Sequence, residues 1–142
     1  MFESTFALSD ASRVIAGIVL LTVITIEFGG TFLVRIAGGK APAPLTEFQK
    51  SFARAGHGHA GVLVVLSLIG LVLADATGLE GFWGWVARIG IPAAAILMSG
   101  GFFAASAGMG RTEPNKAIAL LYMGAVSLAA GSLTLGIGLL TA

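Results

Sequence analysis

The sequence predicts an all-α integral membrane protein, a bundle of four transmembrane helices that assembles as a homo-oligomer. Three observations carry that expectation. Of the 142 residues 56% are hydrophobic and 11% charged, with a mean hydropathy of +0.96, whereas a soluble domain carries about a quarter charged residues. Four separate apolar stretches approach the roughly 20 residues that a helix needs to cross about 30 Å of hydrocarbon. Small residues are abundant, 21 glycines among them, and these let helix backbones approach closely in lipid. So little charge excludes a water-soluble domain and a disordered tail. A formal net charge of +1 gives no basic surface for nucleic acid, so lipid is the expected partner and nucleic acid is not. The absence of cysteine excludes disulfides, iron–sulfur clusters, thiolate zinc sites and cysteine nucleophiles.

The elements are expected in this order. The first eleven residues, MFESTFALSDA, lack the basic start and small-residue cleavage site of a signal peptide, and Ser9 or Asp10 caps the first helix. That first span covers 14–36 and is mostly apolar, its polar residues including Thr22, Thr25, Glu27 and Arg35. A connection with Gly38-Gly39, Pro42 and Pro44 leads to TEFQKSFARA, read as a short interfacial helix over 46–54 with Thr46 as its cap and Phe48 and Phe52 on one face. The second span covers 57–73, and Asp75 ends it. Trp83 and Trp85 lie in the next loop as interface anchors. The third span covers 86–109, GRTEPNK makes a tight polar turn, and the fourth covers 117–140 with no charge after Lys116. Alternation of the kind that marks a membrane barrel is absent. Runs such as Gly100, Ala104, Gly108 and Ala125, Ala129, at a spacing of four, are read as packing seams within a bundle or between copies.

The first and third loops and their borders hold Arg35, Lys40, Lys50, Arg54, Arg111 and Lys116, while the opposite side holds Arg13 and Arg88. Six against two places the first and third loops in the cytoplasm and both termini outside. The expected location is the cell inner (plasma) membrane, crossed several times.

Two features could carry chemistry. The only histidines, His57 and His59, sit together in RAGHGHAG. Neutral imidazole is a common ligand of metals and of haem iron, and an ionisable pair within a span calls for a reason. In an α-helix, residues two apart point about 200° from each other. Both histidines therefore reach one ion only if Gly56 and Gly58 break the helix. The alternative is a pair of interfacial histidines satisfied by water and carbonyls. Glu27 is the second feature: a carboxylate at mid-span is protonated or paired, with His57, His59, Arg54 and Arg88 as candidate partners. Its open roles are a proton carrier, a cofactor contact, a histidine orienter or a structural partner. Arg54 can snorkel or clamp a carboxylate such as a haem propionate. No serine has an obvious base besides the histidines, and no G-x-S-x-G elbow or phosphate-cradling glycine loop is present.

With FARAGHGHAG opening the second span, the chain resembles the small four-helix membrane isomerases, styrene oxide isomerase and, more distantly, hydroxylaminobenzene mutase. EFGGTFLVRIAGG resembles that family's glycine-rich end of the first helix, SGGFFAAS its glycine–aromatic stretch on the third, and EPNKA its Pro-Asn-basic turn. The resemblance implies a homotrimer of four-helix bundles that holds haem b through a histidine of the second helix. Ferric iron then acts as a Lewis acid on a small hydrophobic epoxide, or on a hydroxylamine, which isomerises. It also places His59 or His57 as axial ligand, His59 being favoured because Gly61 follows at the spacing of a family glycine, and it matches Arg54 to the family arginine. Two polar positions depart from the pattern. The family asparagine is Leu63 or Val65 here, and the family tyrosine is Phe103; haem binding depends on neither. Two other functions remain open: a small proton-coupled exporter using Glu27, by likeness to small multidrug exporters, and a non-catalytic subunit of a larger membrane complex.

Overall fold

The computed structural model describes residues 7–41 and 43–142; Pro42 and most of the stretch compared with a signal peptide lie outside the described residues. Four helices follow in order: α1 (Asp10–Ala37), α2 (Glu47–Asp75), α3 (Gly81–Ala105) and α4 (Ile118–Thr141). All four are long and apolar enough to cross a membrane, and among the described residues there is no strand. The chain is a multi-pass membrane protein. In hydrocarbon every backbone N–H and C=O needs an internal partner, which a helix supplies within its own segment.

Local chemistry sets the helix starts. Ser9 caps α1, its Oγ accepting from the Ser12 N–H at 3.2 Å. Thr46 caps α2 through a reciprocal capping box with Gln49. From that cap the helix runs on without a break, so the stretch expected as a separate interfacial helix over 46–54 is the beginning of α2 itself. Its polar residues made it look distinct, but nothing between Glu47 and His57 stops a helix. Gly56 is retained in the ladder because of what lies beside it. A Cβ there would sit 3.0 Å from the Phe103 ring and 3.1 Å from Phe102 Cβ. Phe48 and Phe52 stack with ring centroids 4.3 Å apart. At the other end α3 begins at Gly81, earlier than the expected residue 86, so Trp83 and Trp85 belong to its first turns and not to a loop. It ends at Ala105, short of the expected 109.

Without a hydrophobic drive between helices in lipid, close backbone packing holds the bundle. The tightest seam joins α3 and α4. A Cβ on Gly131 would lie 2.9 Å from Gly90 Cα, and one on Gly101 would lie 2.7 Å from the Leu121 nitrogen. Ser127 donates from α4 to the Gly90 carbonyl at 2.8 Å. The glycine and alanine runs named from the sequence do not form this seam. Gly100 faces open space, Gly108 lies beyond α3 at φ +117°, and Ala125 and Ala129 are exposed. Spacing shows that small residues share a face, but not which neighbour that face meets. Leu63 of α2 packs on Ala94, Ala95 and Met98 of α3, and Ala74, Ala87, Ile91 and Leu135 join α2, α3 and α4 lower down. By contrast α1 packs chiefly on α2, does not touch α4, and buries only Ser12 and Val19.

Polar ties close both ends. At one end Asp75 Oδ1 accepts from Ser9 Oγ at 2.9 Å, Ser12 Oγ at 2.9 Å and Arg88 Nη2 at 2.8 Å, while Oδ2 accepts from the Ser9 N–H at 2.8 Å. One carboxylate thus joins α1, α2 and α3. At the other end Gln49 Nε2 donates to the carbonyls of Ser106 at 3.0 Å and Gly108 at 2.7 Å, and Thr46 Oγ1 donates to the Arg111 carbonyl. The Asp75 and Arg88 side chains are 7% and 16% exposed, so removing one partner strands a largely desolvated charge. Asp75→Ala is expected to destabilise the fold by about 3 kcal/mol, measured by reversible unfolding in mixed micelles. Adding Arg88→Met should cost far less than its effect in the parent, because the two side chains act as one unit.

Candidate functional site

Continuity of α2 separates the two histidines onto opposite flanks, about 200° apart. His57 turns toward α1. A Cβ on Gly29 would lie 3.5 Å from its Nδ1, and one on Gly30 3.4 Å from its Cε1, so that glycine pair is the surface on which the ring rests. A cleft of about 260 Å³ opens there between α1, α2 and α3, lined by Thr25, Ile26, Gly29, His57, Ala60, Ser99, Gly100 and Phe103. Ser99 is 8% exposed, and its Oγ is the buried side-chain polar atom among the described residues that has no hydrogen-bond partner.

His59 occupies the other flank. Its Nδ1 lies 2.8 Å from the Ala55 carbonyl oxygen one turn earlier, and its ring centroid is 4.9 Å from that of Phe102. A carbonyl oxygen can only accept, so Nδ1 is the ring nitrogen that donates, which in the neutral tautomer leaves the lone pair on Nε2. Phe48, Phe52, Phe102 and His59 form a continuous aromatic row. The imidazole borders a groove of about 400 Å³ lined by Ala55, Gly58, His59, Val62 and Leu63. Every one of these belongs to α2, so the groove faces outward from the bundle.

The remaining candidates are not drawn to the histidines. Arg54 is exposed on α2, on the side of His59 nearer the Glu47 end. Glu27 is exposed on α1, and none of the ion pairs among the described residues includes it. It therefore does not meet His57, His59, Arg54 or Arg88 within one chain, contrary to expectation. Arg88 is taken by Asp75. Phe103 lines the His57 cleft as an apolar ring.

Two features escaped the sequence reading. The Asp75–Arg88 pair was legible only as a charge at each side of a loop, with no pattern to join them. Ser99 looked like any helical serine that bonds back to its own turn, and in place it does not. Among the described residues no three His, Asp or Glu side chains converge as an ion cage. The chemistry available is that of one imidazole in each of two mostly apolar clefts, with the Ser99 hydroxyl beside His57. No protein-family profile, curated protein or solved structure matches the chain. The Nδ1–H tautomer of His59 is directly testable. In ¹⁵N-labelled protein the His59 Nδ1 should resonate as a protonated nitrogen and should still do so in Phe102→Leu, whereas an unprotonated Nδ1 would contradict the contact with the Ala55 carbonyl.

Proposed function

We propose that this chain is a haem b-binding protein of the cell inner membrane, a homo-oligomer in which His59 supplies the axial imidazole. By the family resemblance the oligomer is a trimer and the activity is isomerisation of small hydrophobic epoxides or hydroxylamines. The observation that carries the reading is the 2.8 Å contact between His59 Nδ1 and the Ala55 carbonyl. Metal-bound histidines commonly donate their second N–H to a carbonyl, which fixes the tautomer and makes the other nitrogen a better ligand. His57 has no such partner among the hydrogen bonds of the described residues, so it is not favoured as the ligand.

The residues around His59 fit such a group. Ala55, Gly58, Val62 and Leu63 offer an apolar wall of low relief, and Phe102 braces the imidazole from α3. Arg54 stands toward the membrane surface, where its guanidinium would take a propionate carboxylate. The wall comes from one helix alone, which is why the reading includes a second copy to cover the other side. When bound, ferric haem with one histidine would supply a Lewis-acidic iron with an open face. A small hydrophobic ligand would have a second place to rest in the cleft beside His57, where Thr25, Ser99 and the imidazole are the polar side chains and Ile26 and Phe103 are apolar.

Purified protein titrated with haemin should develop a Soret band of one haem per chain. His59→Ala should abolish it, while His57→Ala should retain it. Retention in His59→Ala with loss in His57→Ala would transfer the axial role, and no band in the parent protein would end the haem reading.

A further inference from the structure

Glu27 presents a physical problem that the single chain does not solve. It lies well inside α1, flanked by Ile24, Ile26 and Phe28, and is exposed on the helix surface. A carboxylate that faces acyl chains at this depth is strongly unfavourable, and such groups in membrane proteins turn to protein partners or water-filled cavities. Glu27 lines neither the His57 cleft nor the His59 groove. The flank that carries it is otherwise apolar and uncovered, with Ile24 and Phe28 69% and 79% exposed. Lipid suits those neighbours but not the acid.

Depth identifies a partner. His57 rests on Gly29 and Gly30, and Ala60 shares a cleft with Ile26. Because α1 and α2 run antiparallel, this register puts Glu27 level with His59 to within about one helical turn. Copies that share one orientation in a membrane are related by an axis along the membrane normal, so depth is the same in each. Groups that meet across such an interface must therefore match in depth. The outward groove of His59 is the surface at this level that holds an unengaged, proton-accepting or proton-donating nitrogen, and it lacks an opposite wall.

We propose that the Glu27 flank of α1 in one protomer docks on the His59 groove of α2 in its partner, bringing the carboxylate of one copy and the imidazole of the next to a single shared site. The contact is head-to-tail: a different surface from each protomer, closing into a ring. This rests on the oligomeric part of the proposed function and not on haem: the pairing of α1 with α2 is argued from Glu27 and from depth, and a macrocycle held by His59 would sit at the rim of the same interface.

The lack of cysteine makes the test clean. Ile24 lies one turn from Glu27, and Val62 lines the groove; they are 69% and 68% exposed, so neither substitution disturbs the core. Ile24→Cys and Val62→Cys, placed on separately tagged copies and co-expressed, should cross-link between copies with a short bis-methanethiosulfonate in native membranes. The register pairs Thr31 with Ala55 in the same way, so Thr31→Cys with Ala55→Cys is a second, independent pair. Ile24→Cys with Ala55→Cys is offset by about 10 Å along the axis and should cross-link several-fold less. No product from either matched pair, or a stronger product between Ile24→Cys and Val126→Cys on the exposed face of α4, overturns the interface. Cross-linking in a protein that binds no haemin would uphold the interface while removing the haem reading. A Soret band without cross-linking would do the reverse.

Discussion

Between Glu47 and Asp75 the hydrogen-bond ladder of α2 is uninterrupted, and that continuity decides what the two histidines can do. A break at Gly56 or Gly58 would let both rings swing to one side. The intact helix holds them on opposite flanks, one against the glycine pair of α1 and the other against Phe102 and the outside. Gly56 serves its neighbours and not flexibility, since it is the space into which the Phe102 and Phe103 side chains pack, while Gly58 faces open space. The same residues that crowd α2 from α3 therefore set the direction of both imidazoles.

Polar groups in this bundle divide by depth. At the two ends they are satisfied in full: Asp75 gathers Ser9, Ser12 and Arg88 at one, and Gln49 and Thr46 hold loop carbonyls at the other. Their desolvation is offset by charge-assisted and neutral hydrogen bonds, so they lock the helix ends and leave nothing to react. At the level of His57, His59, Glu27 and Ser99 the opposite holds. Ser99 Oγ is buried without a partner, His59 Nε2 has none, and Glu27 faces outward. A buried unsatisfied group costs about 1–3 kcal/mol, a cost that falls here on Ser99 Oγ, while Glu27 and the histidines lie at or near the surface of the single chain.

How much was legible in the sequence follows from the physics of each element. Four spans could be read because hydropathy over a window is insensitive to packing. The beginning of α2 could not be placed by hydropathy, since Glu47, Gln49, Lys50 and Arg54 are polar while Thr46 and Gln49 nonetheless start a helix there. The opposed histidines followed from helical geometry once continuity was granted, and only the structure supplies that condition. Which glycines carry close packing was not legible: Gly90, Gly101, Gly124 and Gly131 do so and Gly100 does not, because the rotation of each helix is settled by all its neighbours together. The partners suggested for Glu27 were plausible in charge, but Arg88 pairs with Asp75 and none of the ion pairs among the described residues includes Glu27; a linear sequence does not show on which side of α1 the acid emerges.

Electron paramagnetic resonance of the purified ferric protein, loaded with one equivalent of haemin, tests the central claim most directly. One neutral imidazole held outward by a continuous helix predicts a high-spin axial spectrum with hyperfine coupling to a single histidine nitrogen, assigned to His59 by selective labelling. A low-spin spectrum with two histidine nitrogens on the iron would contradict it, because the account gives the iron one imidazole and leaves its other face open.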